Sequence, residues 1–435
     1  MYRKRQRKIE TFEVDAYDRV DLASGANAMN HKTMGWVKAA ALIMAHTIAL
    51  GVMSFPSVFY RLGMFGGVLA SIGFGLLSWQ TGYVLIRFKV NHPGVMNFAD
   101  AGHVIAGRPG YWLFGLMLTS KAIVIAGSHT LSGAIALNII SNHAICNVAW
   151  TAVVAFVSFV FTFPRSFERL SYICFLSVTS IIVACMITII GTGLQDPSNL
   201  PHYDPADPVV WKAFENQGLF NSINAVTNIV FAYGGHVALF SFMAEMQTPS
   251  DFKYSLAVVQ CVAITFYTLV GATVYTFGGQ YTTSPALNMT SRTVRIIAFS
   301  IALISIVISG VITTYIGAKF IFLTLFRNSP RLTSTSFGTW GIWVAICSSI
   351  WMIGWLIAEL IPFFPEMLSI ISSTLTIWFT YGLSGVLWLY DHGSRGPQSV
   401  VYGGTGYFRG WKARCGFAAS VFVVRHRGFI SVDKI

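Results

Sequence analysis

Two long apolar stretches of this chain are interrupted at matching places. A helix broken inside a bilayer is tolerated only where its freed backbone groups find partners or line a cavity. The first stretch runs Trp36 to Tyr60 and is broken around Leu50-Gly51-Val52, with Pro56 just beyond. The second runs Leu219 to Met243 and is broken at Tyr233-Gly234-Gly235. Glycine weakens a helix interior, and proline removes a donor and crowds the preceding turn. Breaks at corresponding positions of two halves point to a central site of the kind that membrane carriers build near the midplane.

The setting for those breaks is a membrane. Of the 435 residues, 54% are hydrophobic and only 11% charged, with a mean hydropathy of +0.62. That balance excludes an ordinary soluble domain. Ten stretches approach the roughly 20 apolar residues a span needs: 35–60, 63–88, 111–140, 146–163, 168–192, 218–243, 254–279, 294–326, 339–363 and 366–390. The expectation is an all-α polytopic membrane protein with one core over 34–392, a cytosolic tail at 1–33 and a basic tail at 393–435. The apolar run Gly416–Val424 in that last tail is too short to span. The N-terminal basic cluster is followed by acidic residues rather than an apolar core, so no cleavable signal peptide is expected.

The net charge of +12 sits mainly in the tails and suits anionic lipid better than nucleic acid. Basic residues also orient the chain. With the N-terminus inside, the inner loops carry Arg87, Lys89, Arg108, Arg165, Arg169, Lys253, Arg327 and Arg331, against Arg61, Lys212, Arg292 and Arg295 outside. That orientation puts the sequon at Asn288 outside.

Five spans precede the polar segment Gln195–Gln217 and five follow it, and each set opens with a broken helix. An odd number of spans inverts the second set, so repeats of about 34–192 and 218–392 are expected to be related by inversion.

At the first break, Pro56 is expected in the first turn of a new helix, where proline is tolerated. The amides of Gly51, Val52 and Met53 then form a positive helix end suited to a carboxylate. Carbonyls near Ile48 and Ala49, and at Phe231, Ala232 and Tyr233, suit an ammonium or a cation. Together they describe an amino acid. Close helix packing through the glycines is the alternative. Asn221, Asn224 and Asn228 share one helix face and suit either a hydrated path or bonding between helices.

Ionisable residues inside spans are costly and often functional. Here they are Lys121, His46, His129 and His236, with Glu245, Lys319 and Glu359 nearer span ends. His236, beside a break, is the first choice for a proton carrier, with His46 also a candidate. Ser309 and Thr313 can help bind a coupling ion or bond back to their own helix. His103 and Asp100 fall in an expected inner loop without metal-ligand spacing. No HExxH, GxSxG or Walker signature is present, the six cysteines show no CxxC, and neither catalysis, metal nor cofactor is expected.

Residues 48–57, IALGVMSFPS, then Leu62-Gly63, resemble the first helix of the amino acid/auxin permease family. So do 228–236, NIVFAYGGH, and 242–246, FMAEM. Residues 127–133, GSHTLSG, are similar to its fungal neutral amino acid permeases of the methyltryptophan-resistance type. The resemblance covers about 34–390. It implies a five-plus-five fold of the leucine-transporter type and plasma-membrane import of neutral amino acids, aliphatic and aromatic, by proton symport. It also implies that Gly51, Val52 and Met53 hold the carboxylate, that carbonyls near Ala232 and Tyr233 serve the amine, and that Ile125 and Ser128 line the side-chain pocket; Ala49 and Gly234 are expected among the residues that shape the same substrate site. Two departures stand out. His46 occupies a position where fungal relatives often carry an acid, and the eleventh span of relatives is expected to be missing. Sodium coupling, a vacuolar membrane, and a non-transporting amino acid sensor remain open alternatives.

Overall fold

The structure, a computed structural model, describes residues 34–163, 167–215, 217–326 and 336–393, with the side chains of 167–172 and 393 left out. Both tails therefore lie outside the described residues, and with them the expectations about the basic termini and an eleventh span.

The described chain is helical throughout. Its α-helices are α1 Trp36–Thr47, α2 Leu50–Asn91, α3 Phe98–Ser141, α4 Asn147–Phe161, α5 Phe167–Leu194, α6 Leu219–Ala232, α7 Leu239–Ala244, α8 Phe252–Gly278, α9 Arg292–Phe326, α10 Phe337–Leu360, α11 Phe364–Ile371 and α12 Leu383–Gly393. Eight helical stretches among the described residues are long and apolar enough to cross a bilayer. Large apolar side chains such as Leu69, Leu76, Trp112, Leu116 and Phe156 face outward. Such a surface suits lipid rather than water.

The ten expected stretches do not map one to one onto those eight. The 12-residue α1 and 15-residue α4 are shorter than a span, and the expected first and second spans run together in α2. A 42-residue helix would be roughly 63 Å long, twice a bilayer core. Gly63 interrupts it, with φ 77° and ψ 168°. This is a left-handed-side conformation that side chains disfavour. The amides freed by the kink are capped by a distant loop: Met64 and Phe65 donate to the carbonyls of Lys212 and Ala213. A Cβ at Gly63 would lie 2.7 Å from the Ala213 oxygen. Gly63→Ala is therefore expected to cost about 2 kcal/mol or more, from strain plus a lost cap. A melting temperature equal to that of the unsubstituted protein would contradict this.

Residues 98–106 correct another expectation. They are helix, not loop. Asn97 and Asp100 form a capping box, so Asp100 is an end-cap rather than a ligand. Gly107, at φ 66°, then turns the chain before Pro109, and Gly102 and Gly110 pack backbone to backbone.

Helix α2 packs along α8 and α6, and α9 fills the space between α3 and α5. Most buried apolar residues fall into two large clusters, one around α1, α3, α9 and α10 and one around α2, α8 and the N-terminal half of α9. Polar bonds fix the contact of α4 with α10: Trp351 donates to Thr162 at 3.0 Å, Trp355 donates to Thr151 at 3.1 Å, and Thr151 bonds Glu359. The two broken segments, α1–α2 and α6–α7, lie at the middle of this arrangement.

Candidate functional site

The first break falls two residues earlier than the glycine suggested. Helix α1 ends at Thr47, Ile48 and Ala49 are non-helical, and α2 begins at Leu50. Leu50, Gly51 and Val52 therefore form the first turn, whose amides lack partners within the helix. Met53 is past that set. Pro56 lies inside α2 rather than in its first turn. The hydroxyls of Ser54 and Ser57 bond back to the Gly51 and Ser54 carbonyls. The second break runs from Tyr233 through the short 3-10 turn Gly235–Ala238 before α7.

The two breaks touch. A Cβ on Gly51 would come within 2.6 Å of both Cα and Cβ of Ala232, and one on Gly235 within 2.4 Å of the Thr47 hydroxyl. The glycines of both breaks thus serve close packing.

Most carbonyls freed by the breaks have donors. The Tyr267 hydroxyl, fully buried on α8, lies 3.1 Å from the Thr47 carbonyl and 3.2 Å from that of Ala232. One side chain thus bridges both breaks. Ser309 donates to the His46 carbonyl at 3.4 Å and Ser78 to that of Tyr233 at 3.3 Å. The Gly234 amide bonds the Phe231 carbonyl. The Gly234 carbonyl accepts from Lys121 Nζ at 3.0 Å.

Between the breaks lies a cavity of about 30 Å³. Its wall includes His46, Thr47, Ala49 and Leu50 from the first break and Phe231, Gly234 and Gly235 from the second. Lys121, Ile125 and His129 come from α3, Ser309 and Thr313 from α9, and Thr376 from the π-helical turn that follows α11. Among the described residues, the Thr376 hydroxyl and His129 Nδ1 have no hydrogen-bond partner, although both residues are over nine-tenths buried. Native interiors seldom leave such atoms unpaired. The volume suits water more than an amino acid, so a larger ligand must displace wall side chains.

Of the residues singled out from the sequence, Ala49, Ile125, Gly234, His46, Ser309 and Thr313 reach this wall. Gly51, Val52, Met53, Ser128 and Ala232 stand behind it as buried packing neighbours. Tyr233 points away, its hydroxyl bonding the Ser71 carbonyl at 3.0 Å. His236 is also turned outward: Nε2 donates to the Ser78 carbonyl at 3.0 Å and lies 3.1 Å from Thr81 Oγ1, pinning the break to α2. His46 Nδ1 meets Thr313 Oγ1 at 3.0 Å. Asn224 and Asn228 bond Ser369 of α11, so this asparagine face joins helices. Asn288 is half-buried in the 3-10 turn Ala286–Met289, and Thr290 of its sequon is buried. Sequence reasoning missed Tyr267 and Thr376, which nothing local distinguishes from other span residues. Lys121 carried a signal, an unpaired-looking cation amid apolar residues.

The profile described as "Transmembrane amino acid transporter protein" matches residues 32–394. An N amino acid transport system protein of Neurospora crassa is 35% identical over 370 residues, 84% of this chain and 77% of that relative. Auxin transporter-like protein 1 of Arabidopsis thaliana is 24% identical over 277 residues, 59% of this chain and 54% of that relative. In structure, the chain is similar to MhsT in complex with L-phenylalanine, with a TM-score of 0.57 at 12% identity, covering 90% of this chain and 97% of that one. The broken helices and the cavity between them thus belong to a member of the transmembrane amino acid transporter family, the amino acid/auxin permeases.

Proposed function

We propose that this protein imports neutral amino acids, aliphatic and aromatic, by proton symport and alternating access. The observation that carries the reading is the cavity between the breaks. On one side it has the positive first turn of α2, on the other the carbonyl end of α6, and around it polar atoms without partners. A zwitterion has the matching charges, its carboxylate at Leu50, Gly51 and Val52 and its ammonium near Gly234. Ile125 and Phe231 offer apolar surface for a side chain. The Neurospora relative, an N amino acid transport system protein, supports amino acids as the class of cargo.

In this reading the ten-span count holds, with α1 and 50–62 as one broken span, 64–91 as the second, and the two halves related by inversion. The N-terminus is cytosolic and the membrane is the plasma membrane. Closure of one end supports alternating access. Met34 donates to the Glu245 carbonyl at 3.3 Å and accepts from Gln247 at 3.2 Å, and Lys319 pairs with Glu245 at 2.5 Å. Partly exposed pairs of this kind are worth about 1 kcal/mol or less, weak enough to open during a cycle.

The test is uptake of labelled leucine and phenylalanine into proteoliposomes in sodium-free buffer, with and without an inward proton gradient. Accumulation that needs the gradient is expected. Accumulation that needs sodium instead would reassign the coupling ion, and binding without flux would make the protein a sensor.

A further inference from the structure

The second break holds an amine that the backbone account leaves unused. Lys121 is 1% exposed, on α3, in the middle of the molecule. It contacts the Gly234 carbonyl at 3.0 Å and the face of Phe379, 5.4 Å from the ring centre. Among the described residues, no carboxylate lines the cavity. The other titratable groups around Lys121 are His46 from α1, His129 on its own helix and His236 from the turn after the second break. Toward the same cavity, α9 contributes only the hydroxyls of Ser309 and Thr313, and the π-helical turn only Thr376. An amine removed from water and faced by carbonyl, hydroxyl, imidazole and ring has no counter-ion for its protonated form, and in the empty site it rests neutral. The missing counter-ion is an anion small enough to enter the cavity.

Resting on the amino acid reading above, we propose that Lys121 carries the coupled proton and that the substrate carboxylate completes its ion pair. Nζ and the first turn of α2 border the same cavity, so one carboxylate reaches both. As Nζ turns toward the carboxylate it leaves the Gly234 oxygen, which becomes an acceptor for the substrate ammonium. The ligand thus replaces one hydrogen bond with a matched set. A carboxylate beside an amine favours its protonated form. Substrate binding therefore takes up a proton at Nζ from the outer solution, and by reciprocity protonation strengthens binding. After release of the amino acid on the inner side, Nζ is again without a counter-ion and gives its proton to the inner solution. The empty carrier then returns neutral. One proton accompanies one neutral amino acid, with every proton held at one named atom.

The experiment is titration calorimetry of the purified full chain with L-leucine and L-phenylalanine in two buffers of different ionisation enthalpy, which counts protons per ligand bound. It is paired with counterflow and gradient-driven accumulation in proteoliposomes, for the wild type, Lys121→Met and Lys121→Arg. The wild type is expected to take up about one proton per amino acid. Lys121→Arg keeps a cation that does not release its proton. It is expected to bind and to run counterflow with no proton uptake and an accumulation ratio of about 1. Lys121→Met is expected to bind more weakly, again without proton uptake. Wild-type binding without a proton change overturns the proposal, as does wild-type proton uptake or accumulation in either variant, which moves coupling to the histidines. Loss of counterflow in both variants with their melting temperatures unchanged also overturns it, since it makes Lys121 a fixed substrate ligand. Failure of the wild type to bind either amino acid sinks the transport reading itself.

Discussion

Gly51→Leu is expected to abolish amino acid uptake. The reason is contact rather than chemistry. The Gly51 Cα faces the Ala232 backbone so closely that even one added carbon would sit 2.6 Å from two of its atoms. Neither atom is the far end of a flexible side chain. One is Cα of the helix that ends at the second break, and the other is the Cβ attached to it. Relief requires α2 and α6 to separate, which displaces the Leu50 amide from the Gly234 carbonyl across the cavity. Overpacking of this kind costs about 1–3 kcal/mol in well-packed interiors, and a displacement of about 1 Å at a site of fixed geometry can cost on the order of a hundredfold in rate. Gly51→Ala should show the intermediate effect. The measurement is initial uptake per mole of monodisperse purified protein. Near-normal uptake by the leucine variant would mean that the two breaks do not act as one rigid unit.

Tyr267→Phe carries the second large effect. The substitution removes one oxygen and keeps the stacked contact with Phe55, whose ring centre lies 4.7 Å away, and the edge contact with Tyr233 at 5.3 Å. What it removes is the hydroxyl between the Thr47 and Ala232 carbonyls. A buried acceptor left without a donor costs about 1–3 kcal/mol, and inside a bilayer water is not at hand to replace it. Both breaks lose a partner at once, so melting temperature and substrate affinity should fall together. The sharper expectation is coupling. In a double-mutant cycle with Thr47→Val or Gly51→Ala, the losses should add to less than their sum, because each variant loosens the same junction. Strict additivity would show that Tyr267 serves each break separately.

These two residues mark how far the sequence could be read. Gly51 announces itself: a glycine in an apolar stretch, followed by Pro56 and matched by Tyr233-Gly234-Gly235, is visible without coordinates. Its exact use was not. The break lies at Ile48 and Ala49, neither a helix breaker by type, because Gly51 is needed one turn later for contact with Ala232. Glycine marks where two backbones approach as well as where one bends, and a single strand of sequence does not separate these uses. Gly63 was hidden for the opposite reason. It stands in the sequence only as the end of a family motif between two spans, yet it carries the positive φ that divides α2 and is capped by a loop about 150 residues away. Tyr267 looks like one more aromatic residue of α8, and only the approach of that helix to both breaks gives its hydroxyl a task.

The sequence by itself determined the membrane class, the helical build, the two breaks and the family, because each follows from local composition: apolar length, the placement of glycine and proline, and short contiguous motifs. Only the tertiary structure decided which polar groups meet. It turned His236 away to α2, set Lys121 on the Gly234 carbonyl, joined Asn224 and Asn228 to Ser369, and left Thr376 and His129 with unpaired atoms at the cavity. Those outcomes depend on the rotation of each helix about its axis. That rotation is set by packing against neighbours more than a hundred residues away rather than by the hydropathy of the helix itself.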